Sequence, residues 1–173
     1  MNALATFGAA CVAAWLMASP AHAVSDAPLE STKCTQFKLA APDWLTCMRS
    51  AISIMSDDDL YFAAYKLETA THYDEAILFL KAAKNQGDVR ILSNLGYANR
   101  KLGRIEEGIA FYLKALAADP NSVTTREYLG EGYLDKKDLA GAETQLVEIE
   151  KRCGKSCESY TLLSAAIAKY KAV

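Results

Sequence analysis

The stretch that decides the fold is Val89–Ser122, VRILSNLGYANRKLGRIEEGIAFYLKALAADPNS. It is 34 residues long, and its apolar residues fall in two runs at helical spacing with Gly103-Arg104 between them. The first run carries Leu92, Leu95-Gly96 and Asn99. The second carries Gly108, Tyr112 and Ala115 and closes at Asp119-Pro120. This is the pattern of two short amphipathic helices joined by a tight turn. Such a hairpin cannot bury its own apolar face and needs a stacked neighbour on each side.

The neighbours repeat it. A step of 34 residues carries Leu95-Gly96 to Leu129-Gly130, Gly108 to Ala142 and Tyr112 to Leu146. A second step carries Leu129-Gly130 to Leu163-Ser164. A step of 32 backwards carries Leu95-Gly96 to Ala63-Ala64, Gly108 to Ala76 and Tyr112 to Leu80. Small residues let one helix approach the next, and the larger ones fill the space between turns. The chain is therefore read as all-α, with three hairpins at about 57–88, 89–122 and 123–154 and a capping helix over 156–171.

The order of these residues resembles the tetratricopeptide repeat, whose period is 34. Tyr133 stands where that signature places its Tyr. Asn99 stands where an aromatic is usual, Gly108 where Ala is usual, and Gly154 where a closing Pro is usual. Gly108 is expected to weaken its helix by about 1 kcal/mol and to permit local distortion. The resemblance implies a short right-handed α-solenoid whose first helices line a concave face that holds an extended peptide or a partner helix. The segments LSNLGYANRKLGRIEEGIAFYLKAL, REYLGEGYL and RCGKSCESYTLLSAAIAKY also resemble small exported bacterial proteins of this kind, over about residues 57–173. That resemblance implies a periplasmic setting.

By the same resemblance the inward residues are Tyr61, Tyr65 and Glu68 in the first repeat. The second supplies Arg90, Asn94, Tyr97, Arg100 and Lys101, and the third Thr124, Glu127, Glu131 and Asp135. A groove so built is basic in the middle, acidic on one side and aromatic on the other. Tyr, Arg and Asn are typical contact residues, and the plain alternative is that these are solvated helix faces. Tetratricopeptide domains that clamp the carboxyl terminus of chaperones place Lys, Asn and Arg on their inner helices. Here only Asn94 agrees, so that ligand is not expected.

Composition bounds the rest. The chain has 173 residues, about half of them hydrophobic, and a net charge of −2. That length supports a sizeable core, and that charge makes no electrostatic footprint for nucleic acid. Residues 1–23 carry no charged side chain; the apolar run Leu4–Ala18 leads to Ala21-His22-Ala23, an A-x-A cleavage pattern. We read a signal peptide that is cleaved, leaving a product without a membrane segment. The run is short of the roughly 20 residues a span needs, which weighs against the alternative of a retained anchor. Cys11 lacks the preceding Leu of a lipid-attachment site.

Residues 24–55 form a separate segment with a polar, flexible start. A short helix is expected after Pro42-Asp43, running through Trp44, Met48 and Ile52, to cover the open end of the first repeat. The tetratricopeptide domain occupies 56–173. It begins at Ser56-Asp57-Asp58-Asp59, which reads as an N-cap and first turn rather than a calcium loop, since the loop's Gly and terminal Glu are missing.

Beyond the signal peptide four cysteines remain: Cys34, Cys47, Cys153 and Cys157. An even number in an exported chain points to disulfides. Sequence alone allows three pairings; Cys34–Cys47 with Cys153–Cys157 is the economical one. In that pairing Gly154 breaks a helix and Ser156 caps the next. The alternatives are a redox pair or a zinc site, and the C-x₃-C spacing fits neither well.

An enzyme is not expected, nor a cofactor or metal. His72 is the only His after the signal peptide and falls in a turn, without a nucleophile–base pair or a Gly-rich phosphate loop. The partner expected is a protein or peptide, not nucleic acid. Two further readings stay open: a thiol–disulfide protein using Cys153 and Cys157, and a constitutive subunit of an envelope complex.

Overall fold

Three of the tight turns in this chain are copies of one another. In a computed structural model, which describes residues 34–172, the backbone reverses at Thr71 (φ 62°), Gly103 (φ 80°) and Lys137 (φ 65°). In each case the next amide reaches back five residues: His72 N to Leu67 O at 2.8 Å, Arg104 N to Asn99 O at 3.0 Å, and Asp138 N to Tyr133 O at 2.7 Å. This 6→1 bond around a left-handed residue is the Schellman closure of a helix end. It turns each first helix into its second. The expected signal peptide (1–23) and the polar start of the following segment lie outside the described residues.

The helices are α1 (Pro42–Ala51), α2 (Asp57–Thr69), α3 (Tyr73–Ala82), α4 (Val89–Lys101), α5 (Ile105–Ala118), α6 (Val123–Asp135), α7 (Leu139–Cys153) and α8 (Glu158–Lys171). Short 3-10 turns occupy Cys34–Gln36 and Ile52–Ile54, and there is no strand among the described residues. Helices α2/α3, α4/α5 and α6/α7 are the hairpins. They stack in chain order, with α8 packed on both α6 and α7. The result is a short α-solenoid.

Local chemistry explains where the helices start. Ser56 Oγ accepts from Asp59 N at 3.1 Å while Asp59 Oδ2 accepts from Ser56 N at 3.1 Å, a capping box. Asp57, inside that turn, has a longer reach. Its carboxylate accepts from the amides of Lys84 (2.7 Å) and Asn85 (2.8 Å), which ties the exit of α3 to the start of α2. Those two amides hold its pKa below the usual carboxylate value. Asp88 caps α4 through Arg90 N at 2.8 Å, and Asp138 caps α7 through Gly141 N at 2.9 Å. Ser156 does not cap α8 as expected. The cap position is Cys157, and no side chain accepts there.

The core runs along the stack. At one end Trp44, Met48 and Met55 pack with Leu60, Phe79, Leu80 and Ile91, so α1 covers the first repeat. Ile109, Tyr112 and Leu129 fill the middle. Leu134, Ile149, Leu163 and Ile167 close the far end. Both small positions of the repeat are needed for contact. A Cβ on Gly96 would stand 2.5 Å from the Tyr112 ring, and one on Gly130 would stand 2.5 Å from Leu163. Each end also carries a local disulfide, Cys34–Cys47 (S–S 2.05 Å) and Cys153–Cys157 (2.09 Å).

Candidate groove on the inner helices

Helices α2, α4 and α6 present one continuous polar and aromatic face. It forms because α4 is sandwiched between the others. Ile91–Gly96 and Ala98–Arg100 are all buried, so polar residues on its inner side are enclosed together with its apolar ones. Ser93 and Thr125, 32 residues apart, join hydroxyls at 2.7 Å and fix the α4–α6 distance.

Two cavities open along this face. One, of about 320 Å³, is walled by Tyr65, Tyr97 and Tyr128, with Glu68, Asn94 and Glu127 between the rings. Lys101, Glu131 and Leu162 also line it. The other, of about 220 Å³, lies towards Tyr61, Arg90 and Thr124 and shares Tyr65, Asn94 and Tyr128 with the first. The shared residues make one groove of the two.

The rings form a chain across the repeats. Tyr73 meets Tyr97 edge-on at 6.2 Å, Tyr97 meets Tyr128 at 5.4 Å, and Tyr128 meets the buried Tyr112 at 6.1 Å. Tyr61 and Tyr65 stack at 6.5 Å on the first repeat. Burial pushes the hydroxyls of Tyr61, Tyr97 and Tyr128 up from their ordinary pKa, so they stay neutral donors.

Two carboxyl groups sit unusually deep. Glu68 is 6% exposed, its Oε1 has no hydrogen-bond partner among the described residues, and burial pushes its pKa up to about 8. Glu127 is equally buried and is pushed up to about 7 by burial, with a hydrogen bond to Ser159 of α8 offsetting part of that rise. Asn94 completes the set: it is 8% exposed and its Nδ2 has no acceptor.

Of the residues expected in the groove, Tyr61, Tyr65, Asn94, Tyr97, Lys101, Glu127 and Glu131 line these cavities. Arg90 also lines the groove, at its rim, where it pairs with Asp58 (2.8 Å) and Asp88 (2.7 Å) and lies over Tyr61 at 5.0 Å. Arg100 is a correction. Only 4% of its side chain is exposed, and its guanidinium donates to Glu131 and, at 2.9 Å, to Asp135. It joins α4 to α6 and is not offered to a ligand. Asp135, paired with it, leaves the contact set for the same reason. Tyr128 and Leu162 were not expected there. Tyr128 lies 34 residues after Asn94, so the repeat register carried the signal. Leu162 lies on α8, outside the three hairpins. Among the described residues no group of three His, Cys, Asp or Glu side chains is placed to hold a metal ion.

The family model of the tetratricopeptide repeat matches residues 89–122. A comparison with curated protein sequences returns no match. Among solved structures, the chain is similar to the type III secretion chaperone SycD of Yersinia enterocolitica, solved with a peptide of the translocator YopD. The TM-score is 0.59 at 23% identity, over 69% of this chain and 96% of that one. PcrH of Pseudomonas aeruginosa, solved with the chaperone-binding region of PopD, gives a TM-score of 0.57 at 23% identity, over 66% and 88%. MamA of Desulfovibrio magneticus RS-1 gives 0.57 at 20% identity, over 71% and 68%. The fold is that of the tetratricopeptide-repeat proteins.

Proposed function

We propose that this chain is an exported interaction module that captures a peptide or helix of a partner protein in the groove of α2, α4 and α6. The observation that carries this is Asn94. Its amide is buried where the two cavities meet, and its Nδ2 donor has no acceptor. A buried donor left unpaired costs about 1–3 kcal/mol. A carbonyl of a chain lying in the groove relieves that cost, and the tyrosine walls supply contact area at little entropic cost. SycD and PcrH, which share the fold, were solved with peptide segments of their partners, and this supports the reading. Export is supported by the apolar run and A-x-A pattern of residues 1–23 and by the two local cysteine pairs.

The test is a selection from a random displayed dodecamer library on the full chain, counter-screened on the Tyr65→Ala/Tyr97→Ala double variant. Peptides retained by the first and lost by the second, with helicity by circular dichroism unchanged, are the expected result. Peptides that bind both equally place capture elsewhere on the molecule. Cell fractionation checks the setting: the chain should appear in the osmotic-shock fraction with the mass of residues 24–173.

A further inference from the structure

The larger cavity has a chemistry that capture of a generic peptide does not require. Three tyrosine rings, from α2, α4 and α6, surround two carboxyl groups, one from α2 and one from α6. Apolar ligand side chains need no carboxylate at the base of their pocket, and burying one without a partner is unfavourable. Aromatic faces and carboxylates together are what an organic cation needs: the rings offer the negative faces of their quadrupoles, and the acids neutralise the charge.

We propose that this cavity receives a basic side chain, lysine or arginine, of the peptide held in the groove, with Glu68 as its counter-ion and Tyr65, Tyr97 and Tyr128 as its walls. This rests on the groove reading above and gives the partner a chemistry. Glu68 is the anchor of the inference because it is buried, lines the cavity and has an oxygen with no partner among the described residues. The cavity shares Tyr65, Asn94 and Tyr128 with its neighbour, so a chain lying over Tyr61 and Thr124 passes its mouth. That continuity favours a side chain of a bound segment over a free amine.

The other charges nearby leave room for the cation. Lys101 lines the cavity but is exposed, with its ammonium 5.2 Å from the centre of the Tyr97 ring. Arg100 is neutralised by Glu131 and Asp135. From α6, Glu127 adds a second acid facing Glu68 across the cavity, and α8 contributes the uncharged Leu162. Near neutral pH the free protein holds a proton on Glu68, because its pKa is about 8. An arriving ammonium or guanidinium favours the ionised form, so binding expels that proton. Affinity for a basic segment therefore rises as the pH goes from about 6 to about 8 and levels off above.

The experiment uses the peptides retained in the dodecamer selection. The expected result is one recurring Lys or Arg, whose replacement by norleucine weakens binding by about tenfold or more. Calorimetry in buffers of different ionisation enthalpy should show net proton release near pH 7, and this release should be lost in Glu68→Gln. Groove-dependent peptides without a recurring basic residue would overturn the inference and leave the groove standing. A norleucine substitution without effect would do the same. No groove-dependent peptide at all overturns both. The norleucine arm needs no protein variant, so the inference stays testable if Glu68→Gln does not fold.

Discussion

The carbonyl oxygen of Gly96 lies 2.8 Å from the point where a Cβ on Gly108 would stand. These residues are the closest approach of α4 and α5, and Arg100 crowds the same point, its Cβ 3.1 Å away. The glycine at 108, expected from sequence to loosen its helix, is what lets the two helices meet. A side chain there would push backbone against backbone.

Gly108→Ala should therefore destabilise the chain by about 1–3 kcal/mol, against the roughly 1 kcal/mol that helix propensity alone would add. Urea unfolding followed by circular dichroism measures the sign. A stabilised variant would show that the α4–α5 joint can yield.

Thr71 holds the left-handed position that Gly103 holds in the next hairpin. For a β-branched residue that conformation costs about 1–2 kcal/mol. Thr71→Gly should raise stability by about 1 kcal/mol, since the relief of strain exceeds the entropy of an added glycine. A thermal melt should move upwards, and Gly103→Thr should move it down.

Glu68 and Glu127 set a pH dependence. Both have folded-state pKa values raised from 4.5, to about 8 and about 7. The native state thus keeps protons that the unfolded chain releases. Their contribution to stability is full below about pH 4.5 and is lost as pH rises through 7 and 8, at up to about 1.4 kcal/mol per pH unit for each group. Denaturation midpoints should fall from pH 6 to pH 8.5. In Glu68→Gln the fall should be shallower.

Neighbouring basic residues should behave oppositely. Arg100→Ala removes the buried link to Glu131 and Asp135 and should cost about 3 kcal/mol. Lys101→Ala removes an exposed cation from the Tyr97 face and should stay within about 0.5 kcal/mol. Equal costs would mean that the Arg100 contacts are not what joins α4 to α6.

The two disulfides should differ in worth. Cys34–Cys47 spans 13 residues and Cys153–Cys157 spans 4. By chain entropy, the first contributes about 3 kcal/mol and the second about 2. Trp44, 3% exposed and packed beside the first, reports its loss by fluorescence in the Cys34→Ser/Cys47→Ser variant.

Much of this architecture is written in spacing. The period of 34 placed Gly96 and Gly130, the three turns and the inner face of each hairpin, because helix stacking repeats the same contacts. Arg100 shows where spacing stops. Its position gives it the inner face, but only the reach of Glu131 and Asp135 from the next repeat makes it internal, and that depends on rotamers and on the α4–α6 distance. Glu68 is similar: its sequence neighbours do not reveal that Tyr97 and Tyr128 enclose it. The cap at Cys157 rather than Ser156 followed from where Gly154 ended α7, a shift of one residue that local propensity does not resolve.

Helix α8 packs on α6 and α7 in the way α6 packs on α4 and α5. It therefore stands where a fourth repeat would begin, with no second helix after it among the described residues. A module ended in this way is a gauge of fixed span. Anything it measures must fit between Tyr61 at one end and Leu162 at the other, and a longer guest must leave the channel rather than lengthen it.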